Sequence, residues 1–265
     1  MILVSHESPI SYLNHSTAYN DYDYCLVHLC DVYEQYQQFF IDSVRKGREV
    51  LLDNSIFELG VSFDPDRFAE KIELIKPTFY VVPDVLNDTD GTINSWERFC
   101  QAYDGLPGLK IGVVQGNSFE EAVRCYRFMV KHADYIAISF DCSWYPSIVA
   151  EAPNLLTAQS HARRAFINGL VTHGIWNADK PHHLLGCSLA SEFKHYQTVR
   201  GIRSLDTSNP VVAALEGKRY LKNIGLLDKS KVKLADLIDV EYDMDTHDLI
   251  LENTTEFQNI MRSLN

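Results

Sequence analysis

The sequence predicts a closed (β/α)8 barrel of the TIM type, built as one domain. Three observations carry that prediction. Short apolar, β-branched runs alternate with stretches of helical periodicity, the pattern of parallel strands joined by helical crossovers. The length of 265 residues suits about eight such units in one barrel. No Gly/Ser linker, low-complexity segment or internal repeat divides the chain, so the domain is expected to run over 1–265.

Seven runs read as strands: 24–29, 49–53, 79–82, 110–114, 135–138, 183–185 and 202–205. An eighth is open between 1–4 and the region after Gly217. Between the runs, Phe68, Ile72 and Ile75 share one helical face after Asp64-Pro65, a capping residue followed by proline at the first turn. Ala122, Val123, Tyr126 and Met129 share another over 119–129. The stretch 142–156 holds Trp144, Tyr145 and two prolines with little periodicity, and reads as an inserted loop of the kind that forms a lid or binding surface. From Leu226 to the end the chain is acidic and irregular, with a short helix expected over 255–263.

Composition narrows the function. The chain carries 24 Lys+Arg against 36 Asp+Glu, a formal charge of −12, which excludes a protein that coats DNA by bulk electrostatics. Hydrophobic residues make up 46% and charged residues 23%, the proportions of an ordinary globular domain, and no apolar run approaches the ~20 residues of a membrane span. The first residues lack the basic-then-apolar order of an export signal, and the six cysteines form no Cys-x-x-Cys pair, so reduced thiols and a cytoplasmic setting are expected. No metal and no cofactor is expected. The adjacent His182 and His183 are the best metal candidates, but neighbours on a strand point to opposite faces.

Polar residues gather where the strands end. Asp53, Asp84, Gln115, Asp141 and Asp206 each follow an apolar run. In a parallel barrel these ends share one rim, where active sites are built. Capping of the following helix is the alternative for any single Asp. Several carboxylates converging on one rim repel one another, an arrangement that points to function for the set.

Four segments resemble a known family. Asp53-Asn54-Ser55-Ile56-Phe57-Glu58 resembles the Asp-Ser-Gly-Gly-aromatic-Gln motif of the tRNA-guanine transglycosylases. Gly112-Val113-Val114-Gln115-Gly116 is similar to their Gly-(Ile/Val)-Val-Gln-Gly-Gly. Asp179-Lys180-Pro181-His182-His183-Leu184-Leu185-Gly186 is similar to Asp-Lys-Pro-His-Tyr-Leu-Met-Gly, and Gly201-Ile202-Arg203-Ser204-Leu205-Asp206 to Gly-(Ile/Val)-Asp-x-Phe-Asp. The motifs keep the family's order and cover 49–210.

The resemblance implies a (β/α)8 barrel that exchanges a guanine in a nucleic acid for a free 7-deazaguanine. It implies that Asp206 is the nucleophile at the sugar C1′ and that Asp53 is the general acid/base. Two carboxylates at a sugar suit that division of labour. By motif position, Asp84 would accept from the guanine N1–H and amine, and Gln115 and the backbone near Ser139 would donate to O6. Phe57 and Leu185 would sandwich the ring beside Gly186. A guanine edge offers two donors and one acceptor, which a carboxylate and an amide meet, and adenine would leave those groups unpaired.

Ser55-Ile56 and Ser139 replace glycines of the family, which alters the pocket. The family's cysteine-rich zinc segment has no counterpart after Asp206. The chain therefore looks like the branch, found in bacteriophages and some bacterial modification clusters, that inserts 7-deazaguanines into DNA. DNA is the expected partner, with tRNA as the alternative substrate and help from a DNA-delivering protein an option. His161, Arg163, Arg164, Lys218, Arg219 and Lys222 are the expected phosphate contacts, and Trp144 and Tyr145 the expected stacking platforms for unpaired bases. A barrel that only binds nucleic acid or a base, and a metal-dependent hydrolase using His182 and His183, are the competing readings.

Overall fold

Eight parallel strands form a single sheet in the order β1-β8-β7-β6-β5-β4-β3-β2. The strands are β1 (Leu3–His6), β2 (Asp23–Leu26), β3 (Val50–Asp53), β4 (Phe79–Val81), β5 (Leu109–Val114), β6 (Tyr135–Ser139), β7 (His182–Leu185) and β8 (Ile202–Thr207). The computed structural model describes residues 2–149, 152–196, 198–226 and 232–263. Parts of two expected segments, the loop 142–156 and the tail 226–265, therefore lie outside the described residues.

Helices occupy most crossovers: α1 (Leu13–Ser16), α2 (Val27–Val32), α3 (Glu34–Arg45), α4 (Ile56–Leu59), α5 (Pro65–Ile75), α6 (Thr89–Ala102), α7 (Phe119–His132) and α8 (Leu155–Thr172). The β7–β8 connection carries a 3-10 helix, Ala190–His195. After β8 come α9 (Asn209–Leu215) and a long α10 (Met244–Ser263). The result is the (β/α)8 barrel that the alternation predicts.

β2, β3 and β4 are buried along their whole length, as strands covered on both faces must be. That is why they read as continuous apolar runs rather than alternating ones. The seam between β1 and β2 is made differently from the other joints. Asp21 N donates to Val4 O (2.9 Å), Val4 N to Asp21 Oδ2 (3.0 Å) and Tyr24 N to Ser5 Oγ (3.1 Å). Side chains thus bring the barrel close to closure where no strand ladder forms.

Several boundaries differ from expectation. The eighth strand is the N-terminal one, and the region after Gly217 makes only an isolated bridge, Leu221 to Gly225. The run 24–29 is strand only to Leu26, after which the chain turns into α2. The terminal helix begins eleven residues before the expected Thr255, at Met244. Its inner face includes Asn253 and Thr254 beside Ile250, Phe257 and Met261, all buried. All six cysteines are free, and all but Cys100 are buried. Among the described residues, no helix is long and apolar enough to cross a membrane.

Candidate active site

The residues proposed for the site lie at or just past the C-terminal ends of strands, on one rim, with Phe57 further on in α4. Asp53 and Ser139 end β3 and β6, Leu185 ends β7, and Asp206 is one residue from the end of β8. Gln115, Gly186 and Asp84 follow β5, β7 and β4 within three residues. Capping does not explain these acids. The helices α5, α6, α7 and α8 are capped instead by Asp64, Asp88, Ser118 and Asn154, each further along its loop.

Asp206 is buried and is held through one oxygen. Gly186 N donates to Oδ1 at 3.0 Å, and His183 Nε2 meets the same Oδ1 at 3.0 Å. Gly186 reaches this position with φ of +60°, the left-handed region that glycine enters without a side-chain penalty. Among the described residues, Oδ2 has no hydrogen bond, so it is the oxygen left for chemistry.

Asp53 lies three strands away around the barrel, in the order β8-β1-β2-β3. Its Oδ2 accepts from Ser55 N at 2.7 Å. Ser55 adopts φ of +57° although it is not glycine, a strain of about 1–2 kcal/mol that the Asp53 turn retains. Burial, with the charge of Glu58 next, pushes the Asp53 carboxyl well above the usual carboxylate range, and Asp206 and Asp84 add to it. Glu58 is itself raised by burial and by Asp206, with Lys233 opposing, and among the described residues its Oε2 is buried without a hydrogen-bond partner. Burial thus favours the protonated form of Asp53, while Asp206, on the same rim, is hydrogen-bonded through Oδ1.

Asp84 and Gln115 form the third part. Asp84 Oδ1 accepts from Asn54 Nδ2 and Oδ2 from Gln115 Nε2, both at 2.7 Å. Gln115 Oε1 accepts from Asn87 N at 3.0 Å, which fixes the amide with its NH2 toward the carboxylate. Burial raises the Asp84 carboxyl, and the bonds from Asn54 and Gln115 act against that rise. The loops after β3 and β4 are tied by Ser62, whose Oγ donates to Asp84 O at 2.6 Å. These loops carry exposed Phe57, Leu59, Val61, Val85 and Leu86. Leu185 is half-buried and pairs in register with Ser139, whose carbonyl accepts from Tyr145 Oη at 3.2 Å. Asp141 is exposed and stands apart from the buried carboxylates.

The expected nucleic-acid contacts need correcting. Arg163 is fully buried, in a two-pronged pair with Glu192 (Nε–Oε1 2.8 Å, Nη2–Oε2 2.9 Å). Its Nη1 donates to Leu185 O at 2.7 Å, so it braces the site from beneath and cannot meet a phosphate. Trp144 and Tyr145 are buried too, Trp144 edge-on to Phe119 and Phe166, which removes them as stacking platforms. Arg164 and His161 are half-buried on α8. Lys218 and Arg219 are exposed, but pair with Glu216 and Glu252 at 2.6 Å each. Arg219 and Lys222 line an open groove of about 390 Å³ with Glu252 and Glu256, beyond the far end of α9 from the rim.

His182 and His183 face opposite ways. His182 stacks on Trp176 at 3.7 Å and bonds Tyr126 Oη, whereas His183 turns to Asp206. Among the described residues no group of three or more His, Cys, Asp or Glu side chains is arranged to hold a metal. Asn54, Glu58, His183 and Arg163 are neighbours of the candidate site that the sequence did not assign to these positions. A signal existed for one of them: His183 is two residues from Leu185, and on a strand that puts both on one face. The chain matches no family model and no curated protein.

Proposed function

We propose that the protein is a base-exchange transglycosylase that replaces guanine in DNA by a free 7-deazaguanine, through a covalent Asp206–deoxyribosyl intermediate. The observation that carries the reading is the pairing of unlike carboxylates on one rim. Among the described residues Asp206 is held through Oδ1 and not Oδ2, and Asp53 is buried where its protonated form is favoured. The motif resemblance supports it, since all four motifs converge on that rim.

In the first step Asp206 Oδ2 bonds to C1′ and the C1′–N9 bond breaks. Its electron pair leaves with guanine, which takes up the proton held by Asp53. In the second step N9 of the 7-deazaguanine attacks C1′, its N9 proton passes to Asp53, and the ester bond breaks to restore the Asp206 carboxylate. Asp84 and Gln115 read the guanine edge. The exposed Phe57 on α4 caps the ring over Leu185. A target nucleotide must leave the stack to reach a rim carboxylate, at a cost of a few kcal/mol.

DNA is the substrate of this reading and tRNA its alternative; residues 207–265 hold no cysteine, and α10 packs on α9. The ion pairing of Lys218 and Arg219 is in keeping with weak, salt-sensitive binding or delivery of DNA by another protein. The test offers labelled guanine and a labelled 7-deazaguanine with DNA and tRNA in parallel. Label in DNA supports the proposal, label in tRNA alone reassigns the substrate, and no label in either overturns the activity.

A further inference from the structure

Among the described residues His183 is the one buried imidazole that touches the proposed nucleophile, and it does so at the end of a chain of hydrogen bonds. Its Nδ1 meets Ser204 Oγ at 2.9 Å, and Ser204 Oγ meets Tyr135 Oη at 2.5 Å. His183 and Ser204 are register partners on β7 and β8. Tyr24 stacks on the imidazole at 6.1 Å and 16°, while Tyr22 and Tyr135 meet it edge-on or steeply inclined. Tyr22 is anchored by its hydroxyl to Leu205 O at 2.7 Å. Aromatic rings thus flank the imidazole on three sides.

We propose that His183 is the positioning residue of the nucleophile: the chain Tyr135–Ser204–His183–Asp206 runs in one direction, puts the imidazole proton on Nε2, holds Asp206 by Oδ1 and presents Oδ2 to the sugar. The direction follows from hydrogen-bond accounting. Among the described residues the Tyr135 hydroxyl bonds only to Ser204, and Tyr135 is buried, so its hydrogen goes to Ser204 Oγ. Burial also pushes the Tyr135 hydroxyl up to about 12, which keeps it a donor. The Ser204 hydrogen then goes to Nδ1, and Nε2–H donates to the carboxylate. The reverse direction would strand the Tyr135 hydrogen in the barrel interior, at the cost of a lost buried bond.

The inference deepens the proposed function and rests on it for its chemical meaning. In the ester, Oδ1 becomes a carbonyl oxygen that keeps its two donors, Nε2–H and the Gly186 N–H. When the second base attacks, the negative charge returning to the carboxylate falls on an oxygen already bonded twice. His183 touches neither base in this arrangement. Its loss therefore lowers turnover and leaves the KM for the free base unchanged.

The test compares wild type with His183→Leu, which removes the donor, and His183→Gln, which retains an N–H near the Nε2 position. The expected result is a roughly 10–100-fold fall in kcat for His183→Leu at unchanged KM, the loss of one bond to a charged group. Most of that is recovered by His183→Gln, and Tyr135→Phe shows a smaller fall. Wild-type kcat in His183→Leu, or a rise in KM with kcat intact, overturns the role. Nitrogen-15 spectra of the wild-type ring read the chain without any activity and serve if a variant fails to fold. A proton on Nε2 alone supports the chain, and a proton on Nδ1 overturns it. A wild type that exchanges no base defeats the proposed function, while the ring spectrum still decides the arrangement.

Discussion

Gln115 Nε2 donates to Asp84 Oδ2 at 2.7 Å, joining two side chains that the motif reading assigns to opposite halves of the guanine edge. The bond uses one of the two amide hydrogens and orients the carboxylate before any base arrives. Replacing Gln115 by Glu sets a second buried carboxylate against Asp84, and like charges at that separation cannot both ionise. Guanine affinity should fall by roughly 10–100-fold, the equivalent of one buried bond to a charged partner. Equilibrium binding of the free base measures it, and unchanged affinity would remove Gln115 from base recognition.

Asp53 makes stability depend on pH. Its folded pKa lies well above the ordinary value of 3.8 because burial disfavours the anion. The stability this group contributes is complete below 3.8 and is lost as pH rises through the raised folded value. Asp53→Asn has no proton to lose. It should match wild type near the acid end and become the more stable protein as pH rises, by about 1.4 kcal/mol per unit of elevation. Urea midpoints across pH test this, and the same variant should lose base exchange.

Gly186→Ala should separate backbone from side-chain effects. An added Cβ would meet Phe140 Cβ at 3.6 Å, an ordinary contact, so space is not the obstacle. The cost is the +60° φ, about 1–2 kcal/mol, together with displacement of the N–H from Asp206. Denaturation should show a loss of that size, and the yield of denaturation-resistant Asp206–DNA adduct should fall with it.

Arg163→Met should destabilise the fold by about 3–5 kcal/mol, because it leaves Glu192 charged and buried without its partner. The double variant Arg163→Met, Glu192→Leu should recover much of that loss. Equal midpoints for the single and double variants would refute the coupling. Charge reversal aimed at DNA binding belongs on Arg164, Lys218 and Arg219 instead.

The barrel was legible because its strands are short, apolar and separated by helical periods, and because rim residues follow strand ends by construction. Helix α10 was half hidden because its buried face contains Asn253 and Thr254. Asn253 Nδ2 donates to Pro210 O and Lys218 O, and Thr254 Oγ1 to Ile250 O, so these polar groups are satisfied inside and break the apolar pattern. Arg163 misled for the same reason. It falls on the buried face of α8 with Phe166 and Ile167, a spacing that argued for the interior before any charge was considered. Pairings across the barrel, such as Arg163 with Glu192 or His183 with Ser204, depend on which crossovers bring distant segments together, and no local pattern encodes them.

The seam between β1 and β2 is fastened from the far end of the chain. Gln258 Nε2 donates to Tyr19 O at 2.5 Å, Arg262 reaches Asp21 at 3.2 Å, and Phe257 lies edge-on against His6. Asp21 is the side chain that holds β1 there, and β1 carries Ser5 in register with Asp206. Helix α10 is synthesised after all eight strands, so the first strand waits for that helix before its joint is secured. During synthesis, the barrel wall that pairs with Asp206 sets only after the eight strands are made.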